Sequence, residues 1–229
     1  MERFFDIIFA GFLLLTLLPL FVVIIIILRF TGEREIFFLQ ERIGRNRKEF
    51  SLIKFATMLK NSPNIGTRTI TIKDDKRVLP VGGFLRKTKI NELPQLYNIL
   101  LGDMSFIGPR PLTRQTFDSY SDSVKKSIGK VRPGLSGIGS IIFRNEEEIM
   151  QGSSASVDYY VNTIAPYKGK LEVWYVKNKS LSLYLISILI TVLVVIVPHS
   201  KFVWKYFKEL PEPPKNLKLV LGYKRYTKR

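Results

Sequence analysis

Ile7-Ile8-Phe9-Ala10-Gly11-Phe12-Leu13-Leu14-Leu15-Thr16-Leu17-Leu18-Pro19-Leu20-Phe21-Val22-Val23-Ile24-Ile25-Ile26-Ile27-Leu28 is a run without a charge, and Pro19 stands in its middle. A helix needs about 20 apolar residues to cross the hydrocarbon core of a bilayer, so this segment belongs in lipid. It is longer than the apolar core of a signal peptide, and no small-x-small cleavage site follows it. Pro19 lacks an N–H donor and crowds the preceding turn, so it kinks or breaks the helix about halfway along. Arg3 and Asp6 on one side and Arg29 and Arg34 on the other leave the charge bias indecisive. On composition alone a straight span and a re-entrant hairpin both stand. Either way, the chemistry of the polar remainder takes place at a membrane surface.

Working outward, the chain has 229 residues, a formal net charge of +17, no cysteine and a single histidine, His199. The absence of cysteine excludes disulfides, thiolate metal sites and cysteine nucleophiles. One histidine excludes histidine-cluster metal sites and argues against a Ser/His triad. Any metal is then hard and oxygen-ligated, such as Mg²⁺. The positive charge predicts an anionic partner: acidic headgroups, phosphates or nucleic acid.

The organisation reads as an anchor over 1–34, a catalytic domain over 35–180, an interfacial apolar helix over 181–200 and a basic, aromatic tail over 201–229. Residues 36–58 are strand and loop material, and 61–76 a polar surface loop. A helical pattern resumes from Val81, with Phe84, Leu85, Ile90, Leu93, Leu96, Leu100 and Leu101 as core candidates. Residues 102–112 are expected to form a stiff, exposed loop, and Ala165-Pro166-Tyr167 to separate two helices. In the second apolar stretch Ser180, Tyr184, Ser187 and Thr191 share one helical face. An in-plane helix is favoured over a crossing, because the tail beyond it is strongly basic. Pro211, Pro213 and Pro214 are expected to make the middle of the tail an extended linker. The in-plane helix and tail also offer a surface for a homodimer. The fold class expected is α/β, mostly helical with few short strands.

Arginine's planar fork suits bidentate binding of phosphate. Arg86, Arg110, Arg132 and Arg144 each lie beside a structural break, and Arg110 is aimed by prolines on both sides. Further motifs accompany them: Gln40-Glu41-Arg42-Ile43-Gly44, residues 50–58, Leu85-Arg86-Lys87-Thr88-Lys89-Ile90-Asn91-Glu92-Leu93-Pro94-Gln95-Leu96, Gly102-Asp103-Met104-Ser105-Phe106-Ile107-Gly108-Pro109-Arg110-Pro111, Arg132-Pro133-Gly134 and Leu171-Glu172-Val173-Trp174-Tyr175-Val176-Lys177-Asn178. In these the chain resembles the bacterial sugar transferases that are monotopic phosphoglycosyl transferases.

The resemblance implies transfer of a sugar 1-phosphate from a nucleoside diphosphate sugar, usually a UDP-sugar, to a polyprenyl phosphate. It implies Mg²⁺, a covalent phosphosugar intermediate, a re-entrant anchor with Pro19 at its apex, and a catalytic domain on the cytoplasmic face of a bacterial inner membrane. Carried over to this chain it places the catalytic dyad at Asn91 and Glu92, and phosphate- and substrate-binding roles at Arg86, Arg110 and Arg144. Arg132 and Lys54 join them as binding candidates, with Glu92 also the candidate metal ligand. Nucleic acid drops out as a partner, because charge alone explains neither the prolines around Arg110 nor the dyad motif.

The sequence departs from the family at one decisive place, because the usual dyad is Asp-Glu and this chain has Asn91-Glu92. The amide lone pair is delocalised, so asparagine is a poor nucleophile at phosphorus. Three readings follow: Glu92 as nucleophile of a variant site, direct transfer without a covalent intermediate, or an inactive member serving as scaffold of a glycan assembly complex. The intact arginines and loop motifs favour an active variant. A second departure is Tyr184, near where the family often has an aspartate.

Overall fold

The computed structural model describes residues 1–65, 75–150, 156–197, 202–207 and 209–223. His199, Tyr226 and the centre of the polar stretch 61–76 lie outside them. Helices α1 (Glu2–Thr16) and α2 (Leu18–Phe30) meet at Leu17 with a bend of 61°. The break falls before Pro19. The proline sits in the first turn of α2, where a missing N–H costs no intrahelical bond. No single described helix is long and apolar enough to cross a membrane; only taken together does this bent pair reach the length and apolar composition of a span.

Both ends of the pair dock on the rest of the protein. Asp6 and Ala10 of α1 are buried against it, as are Ile24 and Leu28 of α2. The opposite faces, including Phe12, Leu15, Leu18, Val22 and Ile26, are exposed.

A β-hairpin follows, β1 (Phe37–Ile43) and β2 (Glu49–Phe55), paired from Phe37↔Phe55 to Ile43↔Glu49. Side chains alternate across a strand, so Gln40, Arg42, Leu52 and Lys54 share one face and Phe37 and Phe55 the other. On the second face Phe55 meets Phe37 and Phe21 of α2 at ring-centroid distances of 5.5 and 5.4 Å. The hairpin is thus wedged between the apolar helices and whatever its first face contacts.

Beyond it come α3 (Pro80–Lys87), a 3₁₀ turn Ile90–Glu92 and α4 (Gln95–Leu101). Lys89, at φ 61°, turns the chain sharply between the first two. Leu85 and Leu96 are buried as expected. Phe84 and Leu101 are not; they are 63% and 59% exposed. Their helices are too short to bury more than one face, and both residues lie on the other.

Strand β3 (Ser105–Ile107) replaces the exposed loop expected over 102–112: it is buried throughout and pairs in parallel with β4 (Gly134–Ser136). Glycines make the approach close enough. A methyl group on Gly134 would lie 2.1 Å from Gly108 N and 2.2 Å from Ser136 O. Gly134→Ala is therefore expected to destabilise by about 3 kcal/mol, read as a lowered denaturation midpoint. Gly83→Ala, with nothing within 4 Å of the added carbon, is the control and should stabilise α3 slightly.

Short helices α5 (Arg114–Asp118), α6 (Asp122–Ile128), α7 (Ile138–Ile142), α8 (Glu146–Ile149) and α9 (Val157–Tyr159) follow in the chain. A π-helical turn Tyr160–Ile164 then runs straight into α10 (Ala165–Lys177). Pro166 therefore separates no helices; it occupies the first turn of α10, and the π turn absorbs its missing donor. Helix α11 (Leu181–Ile196) directs its polar stripe inward, with Tyr184 and Ser187 fully buried and Thr191 bonded to Ser136 Oγ at 2.8 Å. Its apolar face, with Leu189, Val192 and Ile196, is exposed.

Helices α12 (Phe202–Tyr206) and α13 (Lys215–Lys218) fold back on α10. Val203, Phe207 and Leu217 are buried in the main core. The proline segment between the two helices is no free linker. Pro211 accepts a 2.7 Å hydrogen bond from Tyr167, and Trp204 packs edge-on against Tyr223.

Candidate active site

The cleft is built where the polar face of the hairpin meets the 3₁₀ turn. Its lining includes Arg42, Lys54, Glu92, Gln95, Arg110 and Pro111. Asn98 of α4 fixes the parts, accepting from Ile53 N at 3.1 Å and donating to Ser51 O at 2.9 Å. Lys54 Nζ lies 3.2 Å from Glu92 Oε1, and Arg110 Nη2 lies 4.0 Å from the same oxygen. Arg42 donates to Pro111 O at 2.9 Å and to Gln40 Oε1, while its Nε has no partner among the described residues.

One carboxylate thus faces three cations. Burial alone would lift the Glu92 carboxyl, but Lys54, Arg110 and Lys89 outweigh it and hold it well below the usual carboxylate range. Burial brings Lys54 down to about 8, with Glu92 opposing and Arg110 and Arg42 adding to the fall. Burial, helped by Arg110, brings Arg42 down to about 9. Burial disfavours the Arg110 cation too, yet Glu92, Glu146, Tyr160 and Glu172 more than restore it. An arriving anion favours the charged forms of Lys54, Arg42 and Arg110 together.

A pH profile follows. Lys54 loses its proton as pH rises through about 8, removing one cation from the cleft, so kcat/KM should fall above that point, and Lys54→Gln should abolish the inflection. Stability moves the other way. Between about 8 and the ordinary 10.5 the unfolded chain holds a proton on Lys54 that the folded chain lacks, so this group's contribution rises with pH.

Other candidates fall outside these contacts or at their edge. Arg144 is within electrostatic reach of Glu92. Asn91 is buried, its Oδ1 without a partner among the described residues. Arg86 Nη1 contacts Met58 Sδ at 3.7 Å. Arg132 donates through Nε to Gly102 O at 2.7 Å, with Arg3, Arg45 and Asp6 as its charged neighbours. Arg42 and Gln95 belong to the cleft although sequence reasoning gave them no role there. For Arg42 strand parity alone was no signal, because its place on the Lys54 face follows only from the pairing Phe38↔Lys54.

Behind Arg110 lies a second polar group. Burial pushes the Glu172 carboxyl up to about 7, opposed by the Arg110 backbone amide and Lys168. Lys168 itself pairs with Glu146 at 2.6 Å, over the ring of Phe143.

Comparison with known proteins bears on the family of the chain. Residues 1–198 match the model of a family described as Bacterial sugar transferase. The exopolysaccharide production protein ExoY of Sinorhizobium fredii is 36% identical over 159 residues, covering 63% of this chain and 70% of ExoY. The uncharacterized sugar transferase EpsL of Bacillus subtilis is 33% identical over 200 residues, covering 87% of this chain and 89% of EpsL. The undecaprenyl-phosphate galactose phosphotransferase of Salmonella typhimurium is 31% identical over 195 residues; the match spans 79% of this chain but only 37% of that longer protein.

Proposed function

This chain belongs to the bacterial sugar transferase family, and from that premise we propose that it moves a sugar 1-phosphate from a nucleoside diphosphate sugar to a polyprenyl phosphate. The nucleoside monophosphate is released, and assembly of a surface glycan begins. The observation that supports this most is the Lys54–Glu92–Arg110 cleft, with Arg42 beside it. A diphosphate and a lipid phosphate both need concentrated positive charge, and phosphoryl transfer is mainly positioning plus charge stabilisation.

Glu92 is the nucleophile in this reading. Its carboxylate attacks the sugar-bearing phosphorus, the P–O bond to the nucleoside monophosphate breaks, and an acyl phosphate forms. An oxygen of the polyprenyl phosphate then attacks that phosphorus and returns the carboxylate. Lys54 and Arg110 keep Glu92 ionised for the first step and hold phosphate oxygens in both.

Mg²⁺ fits as a partner of the substrate. Glu92 is the acidic side chain lining the cleft and the Asn91 amide oxygen has no partner among the described residues, and this metal is commonly held by one or two carboxylates plus substrate phosphates. Glu92, with Asn91 beside it, would hold the ion. Bound there it would supply charge neutralisation to the diphosphate.

The helix pair is read as re-entrant, with the domain on the cytoplasmic face. Its members have 15 and 13 residues, about 22 and 20 Å at 1.5 Å per residue, each short of the roughly 30 Å core. Both ends return to one domain. Asn91 in place of aspartate favours one competing reading, a scaffold without turnover. The deciding experiment is a panel of nucleotide sugars with membrane-reconstituted protein and polyprenyl phosphate, reading liberated nucleotide. Release from no donor would overturn the transferase reading and leave the scaffold.

A further inference from the structure

We propose that Asp6, inside the apolar anchor, is a positioning residue for the transfer: it sets the height of Arg110 relative to the bilayer and hence to the lipid acceptor's phosphate. This rests on the reading above that the acceptor is a polyprenyl phosphate.

Asp6 is 2% exposed. Its Oδ1 accepts three hydrogen bonds, from Ser105 Oγ at 3.0 Å, Phe106 N at 3.0 Å and Tyr184 OH at 2.8 Å. Ser105 and Phe106 open β3, and β3 leads through Gly108 and Pro109 to Arg110. That connection is stiff. Gly108 N donates to Ser136 O at 3.0 Å, Gly134 N to Pro109 O at 2.9 Å and Tyr175 OH to Ile107 O at 3.2 Å, and prolines flank Arg110. A displacement of Asp6 along the helix axis therefore carries Arg110 with it.

The neighbouring charges reinforce this register. Glu2 pairs with Lys179 at 2.7 Å, and Arg3 donates to the carbonyls of Ile99 and Leu100 at the end of α4. The bend at Leu17 lies eleven positions beyond Asp6, about 16 Å of helix, or half of a hydrocarbon core about 30 Å thick. Asp6 thus marks the depth at which a re-entrant helix passes from headgroups into lipid. Apolar contacts alone would let the helix slide against the domain, whereas a carboxylate held by three donors admits one register. Tyr184, the departure from the family pattern, supplies one of those donors.

The test compares acceptors. Asp6→Leu is expected to lower kcat about 100-fold with long-chain polyprenyl phosphate in vesicles, the scale of a 1 Å misplacement. With a short-chain acceptor in detergent, where depth has no meaning, activity should stay within about twofold, as should KM for the nucleotide sugar. Depth is read separately. The chain has no cysteine, so Leu101→Cys carries a single fluorophore, and its quenching by brominated chains in phosphatidylethanolamine–phosphatidylglycerol vesicles should change in Asp6→Leu. Equal loss on both acceptors, no loss on either, or unchanged quenching would overturn the proposal. Should Asp6→Leu not fold, Tyr184→Phe and Ser105→Ala each remove one donor. About a tenfold loss confined to the vesicle assay supports the proposal, and parental behaviour in both overturns it. If the parent protein turns over no donor, the transferase reading fails, while the quenching result still decides the role of Asp6.

Discussion

Glu92→Gln is expected to abolish transfer, lowering kcat by at least about 1,000-fold, in the range seen when a group acting only in the transition state is removed. The side chain keeps its shape, so the loss isolates charge and nucleophilicity. Glutamine places a neutral amide against Lys54 and Arg110, where the carboxylate lies 3.2 and 4.0 Å away. Two cations are left without their anion, and no oxygen remains that can form an acyl phosphate. Asn91→Ala is the informative companion. If Glu92 is the nucleophile, Asn91→Ala retains phosphosugar on the protein after incubation with the donor, and Glu92→Gln does not. Intact-protein mass distinguishes the two directly, and full activity in Glu92→Gln would end the assignment.

The second large effect is at Arg110. Arg110→Lys is expected to cost about 100-fold in kcat/KM, although the charge is kept. Lysine offers a point charge, whereas the planar fork can span two phosphate oxygens. Pro109 and Pro111 restrict the backbone on both sides, so the shorter ammonium cannot be carried into place by a loop shift. Because Arg110 also faces Glu92, the substitution weakens the hold on that carboxylate. Titrating kcat/KM separately against nucleotide sugar and lipid acceptor would show which phosphate Arg110 grips.

Much of this site was legible in the sequence, for a physical reason. Glu92 and Arg110 belong to family motifs whose prolines and turns fix backbone direction, and Lys54 to a motif that forms the regular strand β2, so motif and geometry carry the same information. The hairpin was legible through its aromatic and β-branched strands, though its two-faced use was not. Arg42 emerges only once the register Phe38↔Lys54 and Arg42↔Phe50 is known. Arg132 looked like its fellow arginines, because proximity to a turn says nothing about which carbonyl the guanidinium meets. The buried strand Ser105–Ile107 was hidden by glycine and proline. These residues usually mark loops, but here they permit backbones to touch. Asp6 was read as a charge at the edge of an apolar run, since its three partners lie about 100 and 180 positions away.

The way α12 and α13 complete the core bears on how the protein is made. Ala10 and Leu217 are both fully buried in the same apolar cluster, about 200 residues apart. At roughly 5–20 residues per second of synthesis, the second follows the first from the ribosome by about 10–40 s. Late in that interval Tyr167 and Trp174 are already made and still await their cover. A nascent chain halted shortly before Val203 should consequently be sensitive to protease and attractive to chaperones, even with its reactive cleft already assembled.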